Sequence, residues 1–413
     1  MSLTHELHTS ERKSFESCKL RWHWRFREWH QPFETAKPLE FGIAYHKGME
    51  TLYQPETWDW DREVVGELAV KTFVDKCNEQ RKAFLRENDE PALEPSAQED
   101  YDERIELGKG MLRYYYQKQL PKYPEGFRPV KVEIPFEVPV KHPDTNEQLY
   151  CKCDNCWKQY NHYVRDSGAI RNLEDLFDES TIRKVLSDKW VGLPVVYSGR
   201  IDALMQDDEG WYMACDWKSS RAISQDDEFL ELDVQVASYC WALKVLGLPV
   251  RGFIYHEQKK GYPKPPVENK SARLGRVFSV NKNADTDYQT YLETVRNRDA
   301  GAYEQGLYDE HLEWLKEEGP TYFKRWFIIK SEAELDNVGK DIGRLALDMT
   351  DPNLRIYPSP GRFSCRFCAY RSPCIGRMRG EDVDYYFRTC MKQEPPYYLR
   401  ERLGPSTESR GGQ

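Results

Sequence analysis

Nowhere along the 413 residues do about 18 apolar side chains follow one another, and the opening Met1-Ser2-Leu3-Thr4-His5-Glu6 has no basic segment with an apolar run behind it. The first absence predicts no membrane-spanning helix and the second no export leader, so a cytoplasmic protein is expected. Internal repeats and low-complexity tracts are also missing, and solenoid architectures drop out with them. There is little imbalance of charge: 69 acidic against 60 basic side chains give a net charge of -9. A protein that coats nucleic acid through bulk positive charge is thereby disfavoured, while a local basic channel inside an acidic shell is not.

What is present points to a folded chain. Hydrophobic residues make up 39% and charged residues 31%, a balance that excludes wholesale disorder. The length exceeds one comfortable core, so one large elaborated domain or two intimate ones are expected. The 12 Trp and 26 Tyr can build a core and still leave flat rings for stacking on a ligand. The 11 cysteines, an odd number in a chain too large to need stapling, predict reduced thiols rather than a disulfide framework. Metal ligation is then the first question for those that cluster.

Periodicity divides the chain. From Ser10 to Trp29, the residues Phe15, Cys18, Trp22, Phe26 and Trp29 recur at helical spacing, with Lys13, Lys19, Arg21, Arg25 and Arg27 on the remainder. A second helix is predicted from Leu39 to Tyr53, with His46 on a face shared by Gly42, whose missing Cβ would permit close backbone approach. The acidic, proline-bearing stretch 87–102 reads as a loop before a helix near Glu103 to Leu120. Period-two alternation takes over at Val130 to Val138, where Pro135 suggests an edge or a bulge. It returns at Val195 to Met205 and Trp211 to Lys218, joined by the turn Asp207-Asp208-Glu209-Gly210. Helical spacing resumes at Phe229, Leu232, Val236, Tyr239 and Leu243 and stops at Gly247; a strand follows at Gly252 to Tyr255, and 287–349 reads as largely helical. The expected organisation is an N-terminal helical region (1–125), a core (126–260) with a cysteine-bearing insertion (150–190), a helical region (261–360), a cysteine-bearing segment (361–395) and a flexible tail (396–413).

The chemistry concentrates on the predicted hairpin. Side chains at i and i+2 of a strand share a face, so Asp216 and Lys218 project together, Cys215 and Trp217 point the other way, and the turn brings Asp202 near Asp216. Converging carboxylates repel unless a cation lies between them, and a hard divalent ion held by oxygens is the usual remedy. Such an ion polarises a phosphate oxygen and acidifies water, with a neighbouring lysine to stabilise developing charge. By itself a D-x-K tripeptide is more often a surface hairpin with a cross-strand ion pair. Order along the chain adds weight: His46 lies upstream, and Gln235 and Tyr239 stand four residues apart on the following helix.

Two cysteine groups remain. Cys365, Cys368 and Cys374, separated by two and five residues, point to a metal or cluster site. Zinc and iron-sulfur clusters both usually take four ligands, and Cys18, on the aromatic face of the first helix, is the favoured fourth, which would join the two ends of the chain. Cys151, Cys153 and Cys156, with His162 six residues later, are either a Zn²⁺ site or a loop with incidental thiols. The other four, Cys77, Cys215, Cys240 and Cys390, read as packing residues.

The order of these motifs resembles the RecB-type branch of the PD-(D/E)XK nuclease superfamily, specifically its iron-sulfur exonucleases, among them the nuclease of CRISPR adaptation and similar exonucleases of bacteriophages. The resemblance is carried by Ser10 to Phe26 with Cys18, Phe41-Gly42-Ile43-Ala44-Tyr45-His46, Gly199 to Asp202, Asp216-Trp217-Lys218, Gln235 to Tyr239, and Cys365, Cys368 and Cys374. It implies an α/β restriction-endonuclease-like fold: a mixed sheet flanked by helices, with the N- and C-terminal segments joined at a [4Fe-4S] cluster on Cys18, Cys365, Cys368 and Cys374. It implies that His46, Asp202, Asp216 and the backbone carbonyl of Trp217 bind Mg²⁺ or Mn²⁺, that Lys218 is the catalytic lysine, and that Gln235 and Tyr239 position the DNA strand and the catalytic centre. Asp216 stands where many members have Glu, and neither Cys151 to Cys156 nor much of 261–360 has a counterpart.

The implied function is a divalent-metal-dependent exonuclease acting on single-stranded DNA or duplex ends, in recombination, repair or phage DNA metabolism. Recombination proteins are then expected partners, in the cytoplasm of a prokaryotic or phage-infected cell. Arg362, Arg366, Arg371, Lys259 and Lys260 are expected to line a channel for the strand. The competing reading is a non-catalytic DNA-binding or scaffolding protein with a structural metal or iron-sulfur site. The intact set of His46, Asp202, Asp216 and Lys218 speaks against it.

Overall fold

The structure, a computed structural model, describes residues 3–33, 37–88, 91–124, 126–166, 178–188, 190–224, 227–270 and 275–396. Its strands in chain order are β1 (His5–His8), β2 (His30–Pro32), β3 (Arg128–Pro139), β4 (Tyr150–Cys151), β5 (Leu193–Gln206), β6 (Tyr212–Ser220), β7 (Val250–Lys259), β8 (Phe323–Ile329) and β9 (Met391–Gln393). Seven of them form one mixed sheet around β5. Along one edge of β5 runs β3, antiparallel from Arg128 against Gln206 to Pro139 against Val196. The other edge is shared: β1 pairs in parallel with Val195 to Ser198, and β6 pairs antiparallel from Ala203 onward. The motif residues Gly199 to Asp202 fall between these two partners. Beyond β6 the sheet continues through parallel β7 to antiparallel β8.

Alternation along the strands separates two cores. Ala203, Met205, Met213, Cys215 and Trp217 face the helices Lys37–Leu52, Arg62–Glu87 and Pro95–Tyr114 through Phe41, Met49, Phe73 and Leu112. Leu204, Ala214 and Phe253 face the helices Val234–Val245 and Glu332–Thr350 through Val236, Leu243, Ile342 and Ala346. Phe278, Tyr291, Tyr308 and Leu312 make a separate small core. Another, of Leu20, Trp24, Tyr370, Phe387 and Met391, joins the two ends of the chain, where β2 and β9 pair antiparallel. Pro135 is tolerated because β3 pairs with β5 alone among the described strands. Gly199 is needed for closeness: a Cβ there would lie 2.7 Å from the Phe136 ring and 3.2 Å from Thr9 Oγ1.

Several expected elements differ. The first helix is interrupted: Thr9–Ser17 ends at Cys18, whose backbone is extended (φ -165°, ψ 110°), and the chain re-forms a turn at Lys19–Trp22 that widens over His23–Arg27. Phe15, Trp22 and Phe26 nevertheless share the sheet core, while Cys18, Leu20 and Trp24 turn to the terminal one. The helix expected near Glu103 begins at Pro95, a residue whose fixed φ suits a first helical position. The Phe229 to Leu243 pattern is two helices, Asp227–Glu231 and Val234–Val245, because Asp233 caps the second; Phe229 and Leu232 are exposed. Gly42 serves no close approach, since a Cβ would meet nothing within 4 Å, whereas at Gly48 it would crowd Leu112 and Ala69 O. The sheet is not confined to 126–260, because β1 and β8 both join it. The charges that disguise β8 lie over rings: Lys324 over Trp326 and Arg325 over Tyr123. Cys77, Cys215 and Cys240 are buried, but Cys390 is exposed and does not pack. The expected flexible tail falls, from residue 397 on, outside the described residues.

His8 opens the Thr9–Ser17 helix, its Nδ1 accepting the Ser10 N–H at 3.2 Å, a role only a neutral imidazole can fill. Burial first, and the Arg200 charge second, pull its pKa from 6.5 to about 4. Below pH 6.5 the unfolded chain therefore takes up a proton that the native state refuses. Stability should fall as pH drops from 6.5 to 4, by on the order of 3 kcal/mol from this group. Urea unfolding of His8→Asn, which keeps a cap without titrating, should show a shallower pH dependence than the wild type; an unchanged slope contradicts the assignment.

Candidate active site

The site forms where β5 changes neighbours. Ala203 and Cys215 are the last registered pair of β5 and β6, so Asp202 and Asp216 stand one step beyond it, where the strands part. The Trp217 N–H is donated to Asp202 Oδ2 at 2.9 Å. His46, from the helix Lys37–Leu52, brings Nδ1 to 3.3 Å from the same oxygen and sets its ring edge-on to Trp217. Asp216 takes its own partners: Lys218 Nζ lies 2.6 Å from Oδ2, and Gln235 Nε2 donates to Oδ1 at 2.9 Å. Asp202 is 8% exposed and Asp216 2%, while the Lys218 side chain is 35% exposed.

These environments drive the two carboxyls apart. Burial alone would raise Asp202, but the His46 charge and hydrogen bond, Lys218 and the Trp217 N–H hold it below the usual carboxylate range. Burial likewise pulls His46 down, yet Asp202 and Asp216 lift it to about 9, so it is an imidazolium at neutral pH. Asp216 is pushed up by burial and by the Asp202 charge, against the pull of Lys218. Lys218 is raised despite burial because Asp216 and Asp202 both favour its charge. Two adjacent, buried carboxylates with an imidazole beside them suit a hard divalent cation in donor type. The donors are arranged as internal ion pairs, however. The one group of three or more His, Cys, Asp or Glu among the described residues whose ligand atoms all lie within 4.8 Å is a different one, His5 with Cys151, Cys153 and Cys156.

The helix Val234–Val245 positions Gln235. Asp233 caps it by accepting the N–H groups of Gln235 and Val236 at 2.7 and 3.2 Å. Tyr239, one turn on, is buried against Phe136, and burial with the charges of Asp216 and Asp202 holds its phenol well above the usual range. Three neighbours escaped the sequence reading. Lys13 Nζ donates to Gln235 Oε1 at 3.0 Å and lies 4.0 Å from Asp233; it had been read only as part of a basic helix face. Glu133, with a left-handed φ of 50°, falls between the pairs Val132 with Ala203 and Ile134 with Ile201, opposite Asp202, and no local pattern marks it. Its carboxyl is raised by burial and by the charges of Asp202 and Glu50. Glu50 sits four residues after His46, a helical spacing that could have been noticed.

The terminal cysteines also come together. Cys18, Cys368 and Cys374 pack against Leu20, Trp24 and Tyr370, and burial plus the charges of Cys18, Cys365 and Cys368 raise the Cys374 thiol. Ser359 N–H points to Cys18 Sγ at 3.5 Å and Gly361 N–H to Cys365 Sγ at 3.4 Å. In the insertion group the fourth donor is His5, reached through the β1–β5 pairing, where the sequence had offered His162; the side chain of His162 lies outside the described residues.

The PD-(D/E)XK nuclease superfamily model matches residues 9–375. The chain belongs to that superfamily. The matched span opens on the Thr9–Ser17 helix and runs past Cys374. Of the superfamily signature, Asp216-Trp217-Lys218 reproduces the (D/E)XK half, while Asp202 is preceded by Ile201 rather than proline. Membership implies a metal-dependent nuclease that binds DNA, and no helix among the described residues is long and apolar enough to cross a membrane. A comparison with curated proteins finds no match.

Asp233→Ala removes the cap that aims Gln235 at Asp216. It should cost about 0.5–2 kcal/mol in chemical denaturation; a loss below that range would show that the cap contributes little.

Proposed function

We propose that the protein is a divalent-metal-dependent DNA exonuclease of the iron-sulfur RecB-type branch, serving recombination, repair or phage DNA metabolism. The observation that carries this reading is the meeting of Asp202, Asp216, Lys218 and Gln235 where β5 and β6 part. Mg²⁺ or Mn²⁺ held by Asp202, Asp216, His46 and the Trp217 carbonyl would supply Lewis-acid polarisation of the phosphodiester and acidify water. The imidazole softens that ligand set and favours Mn²⁺ at least as much as Mg²⁺.

The chain's own residues do the rest. Lys218, partly exposed and resting on Asp216, is placed to turn toward a phosphate and stabilise the charge that develops on its oxygens. Gln235 keeps Asp216 oriented, and Lys13 keeps Gln235 oriented. From Lys13 a groove of ≈ 350 Å³ runs past Arg21 and Arg25 to Phe367 and Tyr370. Basic side chains beside an exposed ring such as Phe367 suit a single strand, whose phosphates and base faces both need partners. Of the residues expected to line a channel, Lys259 lies over Tyr322 and Lys260 over Phe41, and neither is in the groove lining. The lining includes Cys368, one of the four terminal cysteines Cys18, Cys365, Cys368 and Cys374. Backbone N–H groups directed at two of their sulfurs support a [4Fe-4S] cluster there, because such bonds stabilise electron-rich thiolates.

The test is anaerobically purified protein with Mn²⁺ or Mg²⁺ on end-labelled single- and double-stranded DNA. Lys218→Ala should reduce cleavage by about 10²-fold or more with circular dichroism unchanged. Cleavage at the wild-type rate would overturn the assignment.

Cys368→Ser should lose the brown colour and iron content and melt at lower temperature, because cluster binding is coupled to folding. An iron-free wild type in which zinc occupies the four terminal cysteines would replace the cluster with zinc.

A further inference from the structure

At the start of β5, opposite the end that carries Asp202, three thiols and an imidazole meet, all but the half-buried Cys153 buried. Cys151 ends β4, paired with Leu193, and His5 begins β1, paired with Val195. Cys153 immediately precedes the helix Asp154–Asp166, and Cys156 lies in its first turn. Cys151 and Cys156 are fully buried and His5 is 7% exposed. His5 Nδ1 is 3.1 Å from Cys156 Sγ, although the two residues are 151 positions apart, and Cys153 Sγ is 3.5 Å from Cys156 Sγ. All four ligand atoms lie within 4.8 Å of one another.

No disulfide explains the cluster, because the three cysteines are free and a 3.5 Å separation is far from a bonded pair. Hydrogen bonding explains it poorly: thiols are weak partners, and His5 Nε2 is buried with none among the described residues. A tetrahedral ion does explain it. Bonds of about 2.3 Å to sulfur and about 2.0 Å to nitrogen place neighbouring ligand atoms roughly 3.5–3.8 Å apart, within a few tenths of an ångström of the 3.1 and 3.5 Å found.

We infer that His5, Cys151, Cys153 and Cys156 bind one Zn²⁺ as a closed structural site. Thiolate-rich ligation selects zinc over magnesium or manganese, and burial leaves no open position for a substrate. Binding releases the three thiol protons, and the imidazole enters neutral. The ion ties the four-residue strand β1 and the insertion to the start of β5, from which the Thr9–Ser17 helix carries Lys13 to Gln235. The inference is independent of the reading of the catalytic site.

Zinc-edge X-ray absorption and metal analysis of the purified full chain test it without any variant. One zinc per chain with three sulfurs and one nitrogen is expected; no zinc, or zinc with four sulfurs, overturns the site. Replacement of zinc by Co²⁺ should give the visible bands of a tetrahedral thiolate complex, shifted but retained in His5→Cys. A His5→Ala protein with a wild-type cobalt spectrum would remove His5 from the ligand set. Cys151→Ser/Cys156→Ser should lose the zinc and Cys368→Ser should keep it; the reverse pattern would move the metal to the terminal cysteines.

Discussion

The arrangement depends on β5 having one edge covered by β3 from Val196 to Gln206 and the other divided between β1 and β6. A strand that exchanges one neighbour for another must leave a few residues between them, and backbone groups there need partners that the ladder does not supply. Here those residues are Gly199 to Asp202. Gly199 lets Thr9 and Phe136 approach, and the Asp202 carboxylate takes the Trp217 N–H that lies two residues past the last β5–β6 pair. The site is therefore a consequence of sheet topology: the acid is where the ladder is interrupted, and it repairs the interruption.

That placement buries charge, and the surroundings answer it locally. His46 compensates Asp202, and Lys218 compensates Asp216. Removing one partner of such a pair leaves a buried carboxylate without its counter-charge, a cost that the partial exposure of Lys218 and His46 moderates. On the proposed reading, a divalent cation held by Asp202 and Asp216 would supply part of this compensation. The same contacts that stabilise the resting fold thus hold the groups a phosphodiester would meet.

Much of this was legible in the sequence because the chemistry follows short-range rules. The alternation of β5 and β6 and the turn at Gly210 place Asp202, Asp216 and Lys218 together from residue spacing alone, and the cysteine spacings mark two clusters. What could not be read depends on contacts between distant segments. Lys13 looks like any surface lysine until its helix is docked on Gln235, 222 positions away. Glu133 faces Asp202 because a register shift in β3 and a left-handed residue turn it there. His162 was the nearer histidine in sequence, but β1 brings His5 to the sulfurs. β8 was missed because its lysine and arginine lie over rings and do not alternate with apolar residues. The interruption at Cys18 is silent in periodicity, since Phe15, Trp22 and Phe26 stay in one core across it.

The two cysteine clusters take a common meaning from the short helix between them. Thr9–Ser17 has His5 four residues before it, in the group with Cys151, Cys153 and Cys156, and Cys18 directly after it, among the terminal thiols. Lys13 lies midway and reaches Gln235. A nine-residue helix is too short to be stable alone, so it is held by the packing of its buried face, Phe15 included, and by the segments at its ends. Ligation at either end closes a long loop whose entropic cost grows only slowly with length, which makes distant partners as usable as near ones. On the two proposed metal sites, the insertion that lacks a counterpart in the resembling family and the cysteines that have one would serve the same purpose, holding from both sides the helix whose Lys13 reaches Gln235.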